Sequence, residues 1–282
     1  MLGQDLVDVL RARHDVLALD HAACDISDEA AVRRVFGEWR PELVVNCAAY
    51  TDVDGCERDP ARAFAVNARG AGNVACAAEQ VGARVFFIST DYVFDGRKRE
   101  PYREEDPTVP INLYGESKLE GERMTFGSDG ARARHLVIRT SWLYGMHRPN
   151  FVEQTLANAE SQPKIVAVAD QISCPTWTLQ LAQRIAELAE TSASGLVHVD
   201  NGGQCSRCEM AQAIVEKLPR CIPVEPTYWA KLNRPARRPA YSVMGCRRLE
   251  QWGLTPLPHW REALEEYLRW RQAIPSLAGR NL

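Results

Sequence analysis

The chain has 282 residues, of which 45% are hydrophobic and 25% are charged. Its formal net charge of −3 provides no strong positive field for nucleic acid or an anionic membrane surface. No apolar run is long enough to cross a bilayer, and the first residues are too polar for a signal peptide, so we expect a cytoplasmic protein.

The first 150 residues alternate helical and strand patterns, which is typical of an α/β fold with a parallel sheet covered on both faces. In chain order, the patterns predict a helix at 6–10, a short buried strand at 15–20, a helix at 30–39, a strand at 42–46, helical structure at 60–81, a strand at 84–88, a helix at 113–124 and a strand at 135–139. We expect residues 1–150 to form a Rossmann-like, doubly wound domain.

The second half is less regular. It predicts a loop at 170–176, amphipathic helices at 179–188, 209–218 and 260–270, and a Pro/Arg-rich segment at 234–239. No internal repeat or low-complexity segment is present.

The nine cysteines are an odd number and are scattered through the chain. Cys24, Cys47, Cys76 and Cys174 have apolar or small neighbours, which favours buried, reduced thiols. Cys205-Ser-Arg-Cys208 is the one Cys-x-x-Cys motif. A zinc site requires further ligands and a redox site a thioredoxin-like strand, so we interpret the pair as structural.

Tyr114 and Lys118 are four residues apart in a predicted helix and therefore share a face. Ser89 and Thr90 end a predicted strand, and a strand-end hydroxyl opposite a Tyr and a Lys suggests a carbonyl reduction site. A tyrosine with an ordinary pKa of ~10 is a poor proton carrier at neutral pH, and an ammonium group nearby brings it into range. Taken alone, Tyr-x-x-x-Lys favours an ordinary solvated helix face, and without Tyr114 the two hydroxyls would fit strand-end caps.

Two segments together favour reduction: Ser89-Thr-Asp-Tyr-Val-Phe-Asp-Gly96 and Pro110-Ile-Asn-Leu-Tyr-Gly-Glu-Ser-Lys-Leu-Glu-Gly-Glu122. They resemble the extended short-chain dehydrogenase/reductases and, more narrowly, the dTDP-4-dehydrorhamnose reductase family. The resemblance covers essentially the whole chain. It implies NAD(P)H-dependent reduction of the C4 ketone of dTDP-4-dehydro-L-rhamnose. It also implies that 151–282 is mainly a smaller substrate-binding lobe, with some segments returning to the Rossmann-like domain, and that a homodimer forms.

The resemblance implies three catalytic roles. Tyr114 donates a proton, Lys118 lowers the pKa of Tyr114 and holds the nicotinamide ribose, and Thr90 polarises the ketone, with Ser89 as the alternative. It further implies that the substrate contacts Val53, Ser89, Asp91, Trp142, Asn150 and Arg237. The alternatives are a core residue for Trp142, a solvated basic loop for Arg237, and a residue that orients the site for Asp91.

NADPH or NADH is the implied cofactor. Gly3 resembles the third glycine of the family's Gly-x-x-Gly-x-x-Gly turn, whereas the first strand and the first two glycines are missing. We expect that Met1 is an internal methionine taken as the start. One alternative is a shortened chain. The other is a protein that lacks this strand, and its cofactor binding would then be in doubt.

Further cofactor contacts are implied at six positions. Asp20, as a strand-end acid, would bind the adenosine ribose and favour NAD over NADP, although a solvated acid fits equally. The other five are Asp25, Ile26, Asn46, Ala48 and Ala49. Some family members form a magnesium-bridged dimer, but only Asp5 matches that site and Leu179 occupies the other position, so we predict no metal.

Two rival functions stay open. Another 4-keto-deoxysugar nucleotide would be reduced by the same residues. A non-catalytic, nucleotide-binding subunit, resembling the regulatory subunit of methionine adenosyltransferase, would fit the missing first strand.

Overall fold

The computed structural model describes residues 1–127 and 132–273. Its helices are α1 Leu2–Leu10, α2 Glu29–Trp39, α3 Val53–Arg58, α4 Pro60–Phe64, α5 Ala71–Val81, α6 Leu113–Phe126, α7 Phe151–Ser161, α8 Thr178–Ala189, α9 Arg207–Val215, α10 Arg247–Gln251 and α11 Trp260–Ala273. Its strands are β1 Leu43–Asn46, β2 Arg84–Thr90, β3 Leu136–Thr140, β4 Leu143–Tyr144, β5 Ile165–Val168, β6 Ile172–Ser173, β7 Thr176–Trp177, β8 Gly195–His198, β9 Cys205–Ser206 and β10 Val224–Thr227. A π-helical turn, Ala65–Gly70, joins α4 to α5.

The central sheet has four parallel strands in the order β1, β2, β3, β8. Successive side chains of a strand point to opposite faces, and β2 illustrates this alternation. Phe86 packs with residues of α1 and α8 in one apolar cluster, whereas Val85 packs with α2 and α5 in another. Helices therefore cover both faces of the sheet, which confirms the predicted doubly wound α/β class.

Segment 15–20 is not a strand, so the prediction of a short buried strand there was wrong. Its backbone is irregular, and Leu17 and Leu19 are 42% and 44% exposed. An apolar segment becomes a strand only when a neighbouring strand takes up its ladder hydrogen bonds. Among the described residues β1 pairs with β2 alone, so the sheet offers this segment no partner.

The second half of the chain contributes to the central sheet and its covering helices, and also forms a separate core. β8 is the fourth strand of the sheet, and α8 packs against α1. α7, α9 and α11 share a separate core that includes Tyr144, Trp177 and Tyr267. The segment predicted as a loop at 170–176 contains β6 and begins β7, because short ladders to β9 and β4 form there. The division into a domain at 1–150 and a lobe at 151–282 stays a prediction.

All nine cysteines lie in the described residues and are free thiols. Cys174 is buried as predicted, whereas Cys24, Cys47 and Cys76 are only half-buried, so the prediction of burial was wrong for these three. Small neighbours in sequence do not ensure burial, because burial depends on what packs across the fold. Across 1–127 and 132–273, every helix is too short or too polar to span a membrane.

Candidate functional site

The elements that carry the predicted catalytic residues meet at the carboxyl end of β2. Thr90 is the last residue of β2, Tyr114 is the second residue of α6, and Lys118 follows one turn later. α6 begins at this point because the Asn112 side chain accepts a hydrogen bond from the Gly115 N–H at 2.8 Å, as an N-cap. The carboxyl ends of parallel strands are where ligands bind in sheets of this class.

Two glycines let α6 approach its neighbours closely. A Cβ on Gly115 would lie 2.2 Å from the carbonyl oxygen of Tyr92, and one on Gly121 would lie 2.1 Å from that of Asn67. Any larger residue would push α6 away from the end of β2. Asn67 is buried on the π-helical turn and donates to the Ser117 hydroxyl at 3.0 Å, so it ties that turn to α6.

The phenol of Tyr114 is flanked by Thr90 and Tyr92. The Tyr92 ring meets it edge-on, with ring centroids 5.8 Å apart. Burial raises the pKa of Tyr114 well above its ordinary value, and the Thr90 hydroxyl opposes that shift. Tyr114 therefore keeps its proton at neutral pH, as a side chain that donates a proton to a carbonyl oxygen must.

Lys118 is buried beneath this site. Its ammonium group donates to the carbonyl oxygen of Ile88 at 2.7 Å and lies 4.0 Å from the centre of the Phe87 ring. Burial lowers the pKa of Lys118 to about 7, and the carboxylate of Glu122 opposes the shift. The predicted effects of Lys118 on Tyr114 and on a nicotinamide ribose stay predictions.

Ser89 belongs to a buried ion pair. Its hydroxyl donates to Glu122 Oε1 at 2.5 Å, and Arg139 of β3 donates to both Glu122 oxygens at 2.8 and 2.6 Å. Bidentate, charge-assisted pairs are among the stronger hydrogen-bonded contacts in proteins. This arrangement supports Thr90 over Ser89 as the hydroxyl that meets a substrate.

Asp91 links the end of β2 to the second half of the chain. Its Oδ1 accepts from the Thr90 hydroxyl at 3.0 Å, and its Oδ2 accepts from Ser173 at 3.2 Å and Ser242 at 2.5 Å. Burial raises the pKa of Asp91 to about 6, although these hydroxyls oppose the shift. Because protein hydroxyls occupy both oxygens, the contacts support orientation of Thr90 more than direct contact with substrate.

A second buried carboxyl group, Asp200, lies just after β8. Its Oδ1 accepts from the Ser141 N–H at 2.8 Å and from the hydroxyls of Thr140 and Thr176 at 3.2 Å. Its Oδ2 has no hydrogen-bond partner among the described residues. Burial, followed by the charge of Asp91, raises the pKa of Asp200 to about 8. Asp200 is therefore mostly protonated at neutral pH.

Three residues predicted to face the cofactor lie at the end of β1. Asn46 Oδ1 accepts from the Ala48 N–H at 3.1 Å, while Asn46 Nδ2 is buried without a partner among the described residues. Ala48 is exposed and Ala49 is half-buried, so their methyl groups leave the backbone accessible. A buried amide donor lacking an acceptor, beside open backbone at a strand end, fits a dinucleotide with its phosphates and ribose.

Gly3 lies in α1, next to the end of β1. A Cβ there would lie 3.8 Å from the Cβ of Cys47, which is an ordinary contact. The structure therefore does not demand a glycine at this position, and its role in cofactor binding stays a prediction. In the same helix Asp5 is buried, with its Oδ1 3.1 Å from Nε2 of His147.

Asp20, Asp25 and Ile26 share the irregular region that precedes α2. Asp20 is exposed and accepts from the Ala23 N–H at 2.9 Å, so it lies in a turn and not at a strand end. The Ser27 N–H and hydroxyl hold the pKa of Asp25 below its ordinary value. Ile26 packs against the apolar cluster of α2 and α5. Their contacts with an adenosine stay predictions.

Three of the predicted substrate residues differ in how accessible their side chains are to a ligand. Val53 is half-buried at the start of α3. The Asn150 side chain is used as the N-cap of α7, and its Nδ2 donates to the Gly145 carbonyl at 2.6 Å. Arg237 is exposed, and its carbonyl oxygen accepts from Asn112 Nδ2 at 2.8 Å, which ties this residue to the start of α6.

The arginines on either side of Arg237 are already paired. Arg234 and Arg238 both donate to Asp54, at 3.1 Å and at 2.9 and 3.0 Å. Although burial opposes the shift, hydrogen bonds from Arg238, Ala236 and Arg234 lower the pKa of Asp54 to about 2. Of these three arginines, Arg237 is the one whose side chain has no partner within 1–127 and 132–273, and it is exposed to an anionic ligand.

Trp142 follows β3 with φ of 43°, a left-handed conformation that is unusual for a bulky residue and is found at functional sites. The guanidinium group of Arg207 stacks on its indole ring, with Cζ 3.6 Å from the ring centre. The predicted packing of Trp142 against a sugar stays a prediction.

Sequence analysis missed Tyr92, Asp200 and Arg207. Ser206-Arg-Cys-Glu209 forms a capping box, a local signal that could have placed the start of α9 at Arg207. No local signal indicates that α9 begins against Trp142, because the two residues are far apart in sequence.

Comparisons with known proteins agree on one family. Residues 1–272 match the family described as RmlD substrate binding domain. The dTDP-4-dehydrorhamnose reductase of Streptomyces griseus is 41% identical over 287 residues, covering 99% of this chain and 92% of that protein. The spore coat polysaccharide biosynthesis protein SpsK of Bacillus subtilis (strain 168) is 40% identical, covering 96% of this chain and 95% of that protein. The crystal structure of dTDP-4-dehydrorhamnose reductase from Bacillus anthracis in complex with NADP gives a TM-score of 0.92 at 37% identity, with 95% of each chain covered.

Proposed function

The chain belongs to the RmlD substrate binding domain family, and we propose that it reduces the C4 ketone of dTDP-4-dehydro-L-rhamnose with NADPH or NADH, giving dTDP-L-rhamnose. The meeting of Thr90, Tyr114 and Lys118 at the carboxyl end of β2 carries this proposal. Two relatives with the name dTDP-4-dehydrorhamnose reductase, one of them in complex with NADP, support it over nearly their full length.

A bound nicotinamide cofactor would supply the hydride that adds to the ketone carbon. Asn46, Ala48 and Ala49 would face its pyrophosphate and nicotinamide ribose, and the unpartnered Asn46 Nδ2 supports this placement. Gly3 would lie on the pyrophosphate side. The loop with Asp20, Asp25 and Ile26 would face the adenosine.

Tyr114 donates the proton that the ketone oxygen needs as the hydride arrives. Its raised pKa keeps the phenol protonated until the developing alkoxide, a stronger base, removes the proton. The Lys118 ammonium group lies one turn further along α6 and stabilises the phenolate that remains. The products are therefore an alcohol and an oxidised nicotinamide.

Thr90 holds the ketone oxygen in place. Its hydroxyl donates to Asp91 in this structure, so it turns towards the ketone when substrate enters. Asp91 keeps Thr90 in position through contacts that reach Ser173 and Ser242. A hydrogen bond to an oxygen that gains negative charge lowers the barrier to reaction.

The remaining predicted substrate residues complete the site. Trp142 would contact the deoxysugar through its flat apolar face. Arg237 would contact the diphosphate, because a guanidinium group binds phosphate oxygens bidentately. Val53 and Asn150 would line the sugar end of the cleft.

The direct test is turnover. Purified protein, dTDP-4-dehydro-L-rhamnose and NADPH or NADH should consume the cofactor, and NMR should identify dTDP-L-rhamnose as the product. A panel of other 4-keto-deoxysugar nucleotides, assayed in parallel, identifies the preferred sugar. Absence of turnover on every member, together with co-purification of a partner enzyme, would overturn the proposal in favour of a regulatory subunit.

We also propose a cytoplasmic location and a homodimer. Cell fractionation and light scattering on the purified protein test these two points separately.

A further inference from the structure

Arg207 is the first residue of α9, and its position is fixed by local structure. The Ser206 hydroxyl accepts from the Glu209 N–H at 3.1 Å, and Glu209 accepts from the Ser206 N–H at 2.7 Å. This capping box sets the start of the helix. The side chain at the first helical position is therefore held at one point of the fold.

The guanidinium group of Arg207 is packed between aromatic rings. Its Cζ lies 3.6 Å from the centre of the Trp142 ring and 4.8 Å from that of Phe151. Stacking of this kind uses the flat faces of the guanidinium group and leaves its N–H edges free. The strained backbone of Trp142, with φ of 43°, sets the ring against which Arg207 lies.

Arg207 is half-buried and differs from Arg139 and Arg238 in lacking an acidic partner among the described residues. Arg139 is paired with Glu122, and Arg238 with Asp54. Among the described residues, the Arg207 side chain makes no ion pair and no hydrogen bond. Burial lowers its pKa to about 10, and the nearby groups Tyr92, Cys205 and Asp91 oppose the shift. Partial desolvation of a cation that has no carboxylate partner costs free energy, which an anionic ligand would offset.

The surroundings of Arg207 place it beside the reaction site. Arg207 stacks on Trp142, which lies two residues after Thr140, and Thr140 pairs with Thr90 where β3 and β2 end. The ring of Tyr92, two residues after Thr90, contacts that of Tyr114. The cation is therefore close to the residues that would hold the ketone. In a sugar nucleotide, the anionic group nearest to the sugar ring is the diphosphate.

We propose that Arg207, stacked on Trp142 and Phe151, binds the phosphate oxygens of the nucleotide-sugar substrate through its free N–H edges. The identity of that substrate rests on the proposed function. Arg207 and the exposed Arg237 would then both contact the diphosphate, from α9 and from the Pro/Arg-rich segment. A planar donor fork on a rigid aromatic support suits phosphate recognition.

Calorimetric titration of the full chain with dTDP and with thymidine tests this assignment. We expect Arg207→Met to weaken dTDP binding about 10- to 100-fold, because the diphosphate loses its cationic partner, and to leave thymidine binding unchanged. Arg207→Lys should recover part of the dTDP affinity, because it keeps the charge without the fork. In turnover assays, Arg207→Met should raise KM far more than it lowers kcat.

Arg261→Met is the matched control, because Arg261 also stacks on an aromatic ring, with its Cζ 4.8 Å from the Trp260 ring centre, but is exposed. It should change neither affinity. Three results would overturn the assignment: no dTDP binding to the parent protein, dTDP binding within about twofold of the parent in Arg207→Met, or equal weakening of dTDP and thymidine. A lower melting temperature of Arg207→Met with unchanged dTDP affinity would show that Arg207 only stabilises the fold. Arg207-dependent dTDP binding without ketosugar turnover would refute the proposed reaction and leave the Arg207 assignment standing.

Discussion

Ser89 and Thr90 are neighbours in β2, yet their hydroxyls have different partners. Ser89 donates to Glu122 within a buried ion pair, whereas Thr90 donates to Asp91 and lies beside Tyr114. The sequence left the choice between these two hydroxyls open. Their contacts show that the Ser89 hydroxyl is used within the fold and support the proposed catalytic role of Thr90.

Removal of the Thr90 hydroxyl should therefore lower activity, whereas removal of the Ser89 hydroxyl should lower stability. Thr90→Val should lower kcat about 10²-fold, because a donor to the developing oxyanion is lost, with little change in melting temperature. Ser89→Ala should keep kcat within about twofold and destabilise the protein by about 1 kcal/mol, because Glu122 loses a buried donor. Steady-state kinetics and thermal unfolding of both variants distinguish the two roles. A Ser89→Ala variant with normal stability and a strongly lowered kcat would assign the catalytic role to Ser89 instead of Thr90.

Tyr114→Phe should lower kcat by about 10²- to 10⁴-fold, because the phenyl ring keeps its packing and loses the proton. Cofactor affinity and melting temperature should change little. Tyr228→Phe removes the hydroxyl of an exposed tyrosine and serves as the control. Full turnover by Tyr114→Phe would refute its role as proton donor.

Lys118→Met should stabilise the fold while it reduces activity. The folded-state pKa of about 7 lies below the ordinary value of 10.5, so the cost of burying the charge is fully present below about pH 7 and disappears towards pH 10.5. The gain in melting temperature should therefore be largest at about pH 6 and shrink as the pH rises. Thermal unfolding across this range, with kinetics at neutral pH, tests both effects. Stability that falls equally at all pH values would show that the hydrogen bond to Ile88 matters more.

Asp200→Asn should stabilise the protein most at alkaline pH. The folded-state pKa of about 8 exceeds the ordinary value of 3.8, so the folded state binds more protons and the parent protein loses stability as pH rises between these values. A neutral amide does not carry this penalty. We expect the melting temperature to rise by about 2–5 °C at about pH 8 and by less at about pH 5. An unchanged slope of melting temperature against pH would show that Asp200 does not titrate in this range.

Asp20→Ser should shift cofactor preference towards NADPH by about tenfold, if Asp20 repels a 2′-phosphate. The measurement is the thermal shift caused by NADH and by NADPH, because a ligand that binds only the folded state raises the melting temperature. Asp15→Ser removes a nearby exposed acid and should leave the preference unchanged. An equal response of both variants would indicate a general charge effect and not a ribose contact.

The failed strand at 15–20 shows a limit of local pattern. Val16-Leu-Ala-Leu19 has the apolar run of a buried strand, but pairing depends on a neighbour that the run itself does not encode. β2 was predicted correctly because β1 and β3 lie on either side of it. Whether a segment with high strand propensity forms a strand thus depends on its tertiary context.

The sequence by itself determined the α/β class, most helices and strands, and the segments that carry Thr90, Tyr114 and Lys118, because these depend on periodicity, caps and short motifs. Only the tertiary structure decided which partners the side chains have. It directed Ser89 to Glu122, brought Asp91 to Ser173 and Ser242, and placed Arg207 on Trp142. These contacts join residues that are distant in sequence, and their strength comes from burial and close approach, which arise only when β2, β3, α6 and α9 pack together.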